Sequence, residues 1–214
     1  MLLLQYALPT NSMKYSTMQE KTLEKLNTPE KIQDYLDSIS FNHEENGETV
    51  RSAFEVLNHK KAHCLEGAFL ACAALSLQKR RPTIISLKVT AKDYDHVIAV
   101  YKENGYFGAI SKTNHAVLGW RDPVYKTVRE LAMSYFHEYF LATSGEKTLR
   151  GYSRPINLNR FGKVWISSSE NLLPIAEAIY DSYHTPIIPK GSEKYIRNAT
   201  LFERTTTSVS RDNK

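Results

Sequence analysis

The stretch from Cys64 to Gln78, "CLEGAFLACAALSLQ", is apolar on nearly every side, because Leu65, Ala68, Phe69, Ala71, Cys72, Ala74 and Leu75 leave little polar surface. A helix that is hydrophobic all round has no face to give to water, so it belongs in the middle of a domain with the other elements built around it. The 214 residues suffice for one such domain with a full core and some extension, and are too few to favour two independent domains. A content of 42 % hydrophobic and 24 % charged residues is that of an ordinary globular chain.

Several flanking segments carry their own start and period signals. In "NTPEKIQDYLDSIS" Thr28 is placed as an N-cap and Pro29 at the first helical position, with Ile32, Tyr35, Leu36 and Ile39 on one face. A polar connector, "FNHEENGET", leads to a short helix carrying Ala53, Phe54, Val56 and Leu57. Past Gln78, "RRPTIISLKVT", "DHVIAVY" and "YFGAIS" read as strands, the last two joined through the turn-rich "KENG". Together they form a hairpin against the central helix. "DPVYKTVRELAMSYFHEYF" predicts a further helix capped by Asp122 with Pro123 at its first position and a stripe of Val124, Val128, Leu131 and Tyr135. One more helix is expected near residues 172–180. Helices come first and strands follow, so the expected class is α+β, a central buried helix packed against an antiparallel sheet. The expected organisation is an N-terminal extension over 1–27, the domain over 28–189 and a basic tail over 190–214.

The apolar run Met1 to Leu8 lacks a preceding positive charge and is broken by Gln5, so it fits neither a signal peptide nor a membrane span. The expectation is a cytoplasmic protein with no membrane partner. The net charge of +5 comes partly from residues 190–214, where six Lys/Arg face three Asp/Glu. Without a dense cluster or interleaved aromatics this tail reads as a solvated terminus, and nucleic acid is not expected as a partner.

Cys64 and Cys72 lie about two turns or ~12 Å apart on the central helix, too far for a disulfide. Cys72 sits deep in the helix and reads as core. Cys64 occupies the first turn, where unpaired N–H groups and the helix dipole favour thiolate over thiol. Such a thiolate needs a base on a neighbouring strand, and His96, at the start of "HVIAVY", is the candidate. The base in turn needs an orienting group. Side chains alternate along a strand, so Asp95 points away from the face of His96, whereas any even-numbered hairpin loop brings Ser111 onto that face. Asn114 is the alternative third residue if the strand ends or bulges. Glu66 is either a first-turn acid or a cleft residue, and Trp120 and Arg121 are further cleft candidates, Arg121 also serving as the ion-pair partner of a capping Asp122. His59 and His63 have i, i+4 spacing beside Cys64, but no second close pair completes a tetrahedral set, so no metal is expected. The proposed chemistry requires no cofactor.

"HCLEGAFLACAAL", "DHVIAVY" and "YFGAIS" resemble the Cys helix, the His strand and the third-residue strand of the transglutaminase-like (papain-like cysteine enzyme) superfamily. The lead-in helices fit as well, so the resemblance covers roughly residues 28–114, and "GAISKTNHAVLGWRDPVYKTVRELAMSYFHEYF" resembles an uncharacterised bacterial branch. It implies a transglutaminase-like fold and a thiol-dependent hydrolase or acyltransferase acting on an amide or related acyl bond of a peptide, protein or small amide. Cys64 would be the nucleophile and His96 the base, with Ser111 standing where the family has Asp. The alternative is a catalytically silent domain of this fold that binds a peptide or protein partner.

Overall fold

The structure, a computed structural model, describes residues 17–45 and 47–205. The Met1 to Leu8 run and the last nine residues of the tail lie outside the described residues. The chain opens with α1 (Thr17–Lys25) and α2 (Pro29–Ser38), passes through β1 (Ser40–Phe41), α3 (Ala53–His59) and β2 (Lys61–Ala62), and enters α4 (Cys64–Leu77). Three strands follow, β3 (Thr83–Val89), β4 (His96–Glu103) and β5 (Tyr106–Ile110), then β6 (Arg121–Tyr125) and α5 (Val128–Met133). Beyond these come β7 (Leu149–Ser153), β8 (Ile156–Asn157), α6 (Val164–Ser167), α7 (Leu173–Tyr180), β9 (His184–Pro186) and α8 (Leu201–Arg204). The class is α+β: helices pack on a seven-stranded antiparallel sheet of order β6-β5-β4-β3-β7-β9, with β8 on β3.

Local chemistry sets the helix starts. Thr28 accepts the Lys31 N–H and Pro29 occupies the first position of α2, which buries Ile32 and Leu36; Ser52 accepts the Glu55 N–H at α3. In α4 every residue from Leu65 to Leu75 is buried. Its side chains share one core with Ile84, Val97, Ala99, Tyr101, Ile110 and Trp165. A second core on the opposite face of the sheet joins Ile85, Leu87, Ile98 and Val100 to Leu131, Ala132 and Tyr135. β3 and β4 are therefore covered on both faces, which is why "TIISL" and "HVIAVY" carry apolar residues in succession rather than in strict alternation.

Cys72 Sγ lies 3.6 Å from the Thr83 carbonyl, so the C-terminal half of α4 accompanies the start of β3. The N-terminus of α4 accordingly overhangs the other end of the sheet, where β3 finishes and His96 begins β4, pairing with Leu87. The hairpin turn between β4 and β5 is the two-residue Asn104-Gly105, with φ of 49° and 85°. Positive φ at both central positions is the hairpin geometry that Asn-Gly favours, and its even length keeps the parity on which the placement of Ser111 depends.

One helix start is corrected, and packing extends on both sides of residues 28–189. The extension assigned to residues 1–27 contains α1, whose Leu23 and neighbouring Leu26 are buried in the main core, so packing begins before Thr28. Asp122 and Pro123 do not open a helix; they lie in β6, and the helix starts later, with Thr127 accepting the Glu130 N–H. β6 is an edge strand, where a proline costs no ladder hydrogen bond, and Val124 is exposed. The segment after Lys190 is docked where described: Ala199 is buried and its N–H donates to the Gly145 carbonyl at 2.7 Å. No helix among the described residues is long and apolar enough to cross a membrane.

Candidate active site

Cys64 is the first residue of α4, and His63 is its N-cap. The first N–H groups of a helix have no intrahelical acceptor. The ladder here starts with Gly67 N–H donating to His63 O at 2.9 Å, and Leu65 N–H lies 3.2 Å from His63 Nδ1. The Cys64 N–H therefore precedes the ladder, beside its own sulfur. Glu66 locks this turn from below. Its fully buried carboxylate accepts from the backbone of His63 and Arg51 at 3.0 Å, from Asn42 Nδ2 at 3.1 Å and from Thr49 Oγ1 at 3.3 Å. Glu66 is thus placed as a first-turn acid in the capping network, and it is not among the residues lining the cleft.

His96 is buried at the head of β4, and its Nε2 lies 2.6 Å from Ser111 Oγ. With Nε2 occupied, Nδ1 is the ring nitrogen left for the Cys64 sulfur, which is within hydrogen-bond reach of His96. The backbone of Ser111 is clamped in turn. Gln33 on α2 accepts the Ser111 N–H and donates to the Ser111 carbonyl, both at 2.9 Å, so an amide side chain pairs with a backbone amide. Lys112 reaches back to the C-terminal carbonyls of α2, with Nζ 2.8 Å from Leu36 O and 2.6 Å from Ile39 O. A Cβ on Gly67 would lie 2.4 Å from Lys112 Cβ, so only glycine lets the first turn of α4 sit against this segment.

Two further groups reach the sulfur, and neither was expected. His63 donates through Nε2 to the Thr49 carbonyl at 2.8 Å, which leaves Nδ1 as lone pair for Leu65 N–H in the neutral ring or as N–H donor to Cys64 in the imidazolium. Burial alone would lower the His63 pKa, but the hydrogen bond to Cys64, the sulfur's charge and the Glu66 carboxylate raise it to about 9. Burial likewise would push the Cys64 thiol up; hydrogen bonds from His63 and His96 and their positive charge reverse this and bring it down to about 5. The third group facing the sulfur is Tyr180, the last residue of α7, in the same cleft. Burial and the charge on Cys64 hold its hydroxyl far above the ordinary tyrosine value, so it remains a protonated donor. The adjacency of His63 and Cys64 was visible in the sequence as a His-Cys pair at a helix start; nothing local marked Tyr180 or Gln33.

Cys64, His63, His96 and Tyr180 share a cleft of about 990 Å³. Its walls come from the end of β1 and the connector after it (Phe41 to Glu44), the turn between β3 and β4, the loop Thr113 to His115, Tyr139 and the inner side of α7. Asn114 lines the cleft, but the His96 nitrogen it was to orient is taken by Ser111. Asp95 is used elsewhere, accepting from Val89 N and Lys88 Nζ. Trp120 and Arg121 stand outside the cleft lining. The indole donates to Asp122 and stacks near Tyr101, while the guanidinium lies over the Tyr135 ring and pairs with Glu138. Cys72 is a core thiol whose pKa burial pushes up, and both cysteines are free. His59 pairs with Glu55 on its own helix, and no group of three or more His, Cys, Asp or Glu among the described residues is arranged to hold a metal ion. No known family model matches this sequence, and no curated protein is similar enough to match it.

Proposed function

We propose that the chain is a transglutaminase-like thiol enzyme acting on an amide or related acyl bond. One observation carries this reading: a helix-start cysteine with a lowered pKa lies within reach of His96, whose far nitrogen is held by Ser111 at 2.6 Å. The Cys64 thiol gives its proton to His96 Nδ1, and the sulfur attacks the acyl carbonyl carbon. The resulting oxyanion is met by the Cys64 N–H, the helix dipole and the Tyr180 hydroxyl. His96 delivers a proton from Nδ1 to the leaving amine as the C–N bond breaks, leaving a thioester on Cys64. Water or a second amine then attacks the thioester, giving its proton to His96, and the acyl product leaves as the sulfur is regenerated. Water makes the protein a peptidase or amidase; an amine makes it an acyltransferase.

The cleft favours neutral or cationic acyl substrates. Glu48, Asp93 and Glu177 line it without a Lys, Arg or His ion pair, whereas Glu44 faces His63 at 4.0 Å and Lys88 and Lys112 are engaged by Asp95 and by α2. A thiol nucleophile also suits a reducing compartment, in keeping with a cytoplasmic location. The second reading, a silent domain that binds a peptide or protein partner, rests on Ser111, which gives His96 a neutral hydroxyl instead of a carboxylate. Alkylation of Cys64 measured against pH in a Cys72→Ala background separates the two. Reactivity persisting near pH 6, with its midpoint moved up by a unit or more in His96→Ala, supports the enzyme, whereas a profile centred near the free-cysteine value of about 8.5 and indifferent to His96 leaves the silent domain.

A further inference from the structure

Three arginines, Arg81, Arg154 and Arg160, line one surface cavity of about 740 Å³ together with Asn157, Ser182 and Tyr183. It lies at the end of the sheet remote from Cys64: Thr83, two residues after Arg81, pairs with Asn157, whereas Leu87 at the other end pairs with His96. No carboxylate lines it. The arginine ion pairs among the described residues use Arg51, Arg80, Arg121 and Arg197 and none of these three. The Arg160 guanidinium is held 5.2 Å from the Phe161 ring centroid rather than against an acid. Asn157 Oδ1 accepts the Asn159 N–H at 3.1 Å, which leaves its NH₂ as the donating end.

Three like charges converging on one concavity repel one another and focus a positive potential that only an anion relieves. Guanidinium forks match the paired oxygens of phosphate, and the Asn157 amide and Tyr183 hydroxyl can complete such a site, the Ser182 O–H being already donated to the Ile179 carbonyl at 2.6 Å. The volume falls within the range of small-molecule sites. We propose that this cavity binds a phosphorylated small molecule through its phosphate groups. The proposal is independent of the chemistry at Cys64.

Isothermal titration with pyrophosphate and with ADP, at an ionic strength held constant with sodium chloride, tests it. The expected result is saturable binding of one ligand per chain, weakened about tenfold or more by Arg154→Ala or Arg160→Ala and unchanged by Lys126→Ala, a cation outside the cavity. Arg154 and Arg160 are exposed, so thermal melting of these variants should match the parent and exclude misfolding as the cause. Tighter binding of ADP than of pyrophosphate would place a nucleoside against the exposed ring of Tyr183, and equal binding would assign recognition to phosphate alone; either supports the site. Absence of saturable binding for both probes, or equal weakening by Lys126→Ala, overturns it.

Discussion

The sulfur of Cys64 is reached by donors from three separate places: its own helix cap, the head of β4 and the end of α7. Their combined effect has a definite sign. A pKa lowered to about 5 keeps the thiolate populated down to mildly acidic pH, so alkylation should be nearly flat between pH 6 and 8 and fall as pH drops through 5. His96→Ala should move the midpoint up by a unit or more toward the free-cysteine value, read from the same alkylation profile. Tyr180→Phe removes a donor and leaves the ring, and turnover should fall by about tenfold, the size of one hydrogen bond to a charged group. Ser111→Ala should slow turnover by a smaller factor, about fivefold, since a neutral hydroxyl is lost, and Ser111→Asp should restore it. Of these groups, Cys64, His96 and Ser111 were legible in the sequence, because helix-start chemistry and strand parity are local rules. Tyr180 was not: it lies more than a hundred residues further along the chain, and only packing brings it to the sulfur.

At the scale of elements, the site depends on how tightly α2 and α4 grip the residues just after β5. Gln33→Leu keeps the volume but leaves the buried N–H and C=O of Ser111 without their partners, so it should cost about 1–3 kcal/mol in denaturant unfolding. Because Gln33 acts through Ser111, the same variant should also lower kcat more than it raises KM. Gly67→Ala forces a Cβ into Lys112 and should destabilise by a similar ~1–3 kcal/mol, against the usual gain from alanine in a helix. The hairpin of β4 and β5 was readable because Asn104-Gly105 selects its own turn type. β6 was misread for an equally physical reason. Asp-Pro followed by an apolar period is a valid helix start, and what overrides it is pairing with β5, Phe107 to Tyr125 and Ala109 to Arg121, which no local signal announces.

For the whole molecule, the region after Lys190 is partly an integral piece of the fold. Besides the Ala199 contact, Arg204 donates to the carbonyls of Ala142 and Thr143, and Arg197 pairs with Glu203. Truncation after Lys190 should therefore lower Tm by several degrees, as loss of ~1–3 kcal/mol does in a chain of this size, a shift that scanning calorimetry would register. From the sequence alone it followed that a wholly apolar helix must be the centre, that strands must follow it, and that a cysteine would stand at its start with a histidine on a neighbouring strand. These follow from burial, alternation and capping, which act over a few residues. Tertiary structure alone decided which residues complete the site: Gln33 under Ser111, Tyr180 over the sulfur, Glu66 beneath the cap rather than in the cleft. It also placed Trp120 and Arg121 outside. Each of those outcomes is a contact between elements distant in sequence, and such contacts are fixed by the packing of the whole chain rather than by any segment's own preference.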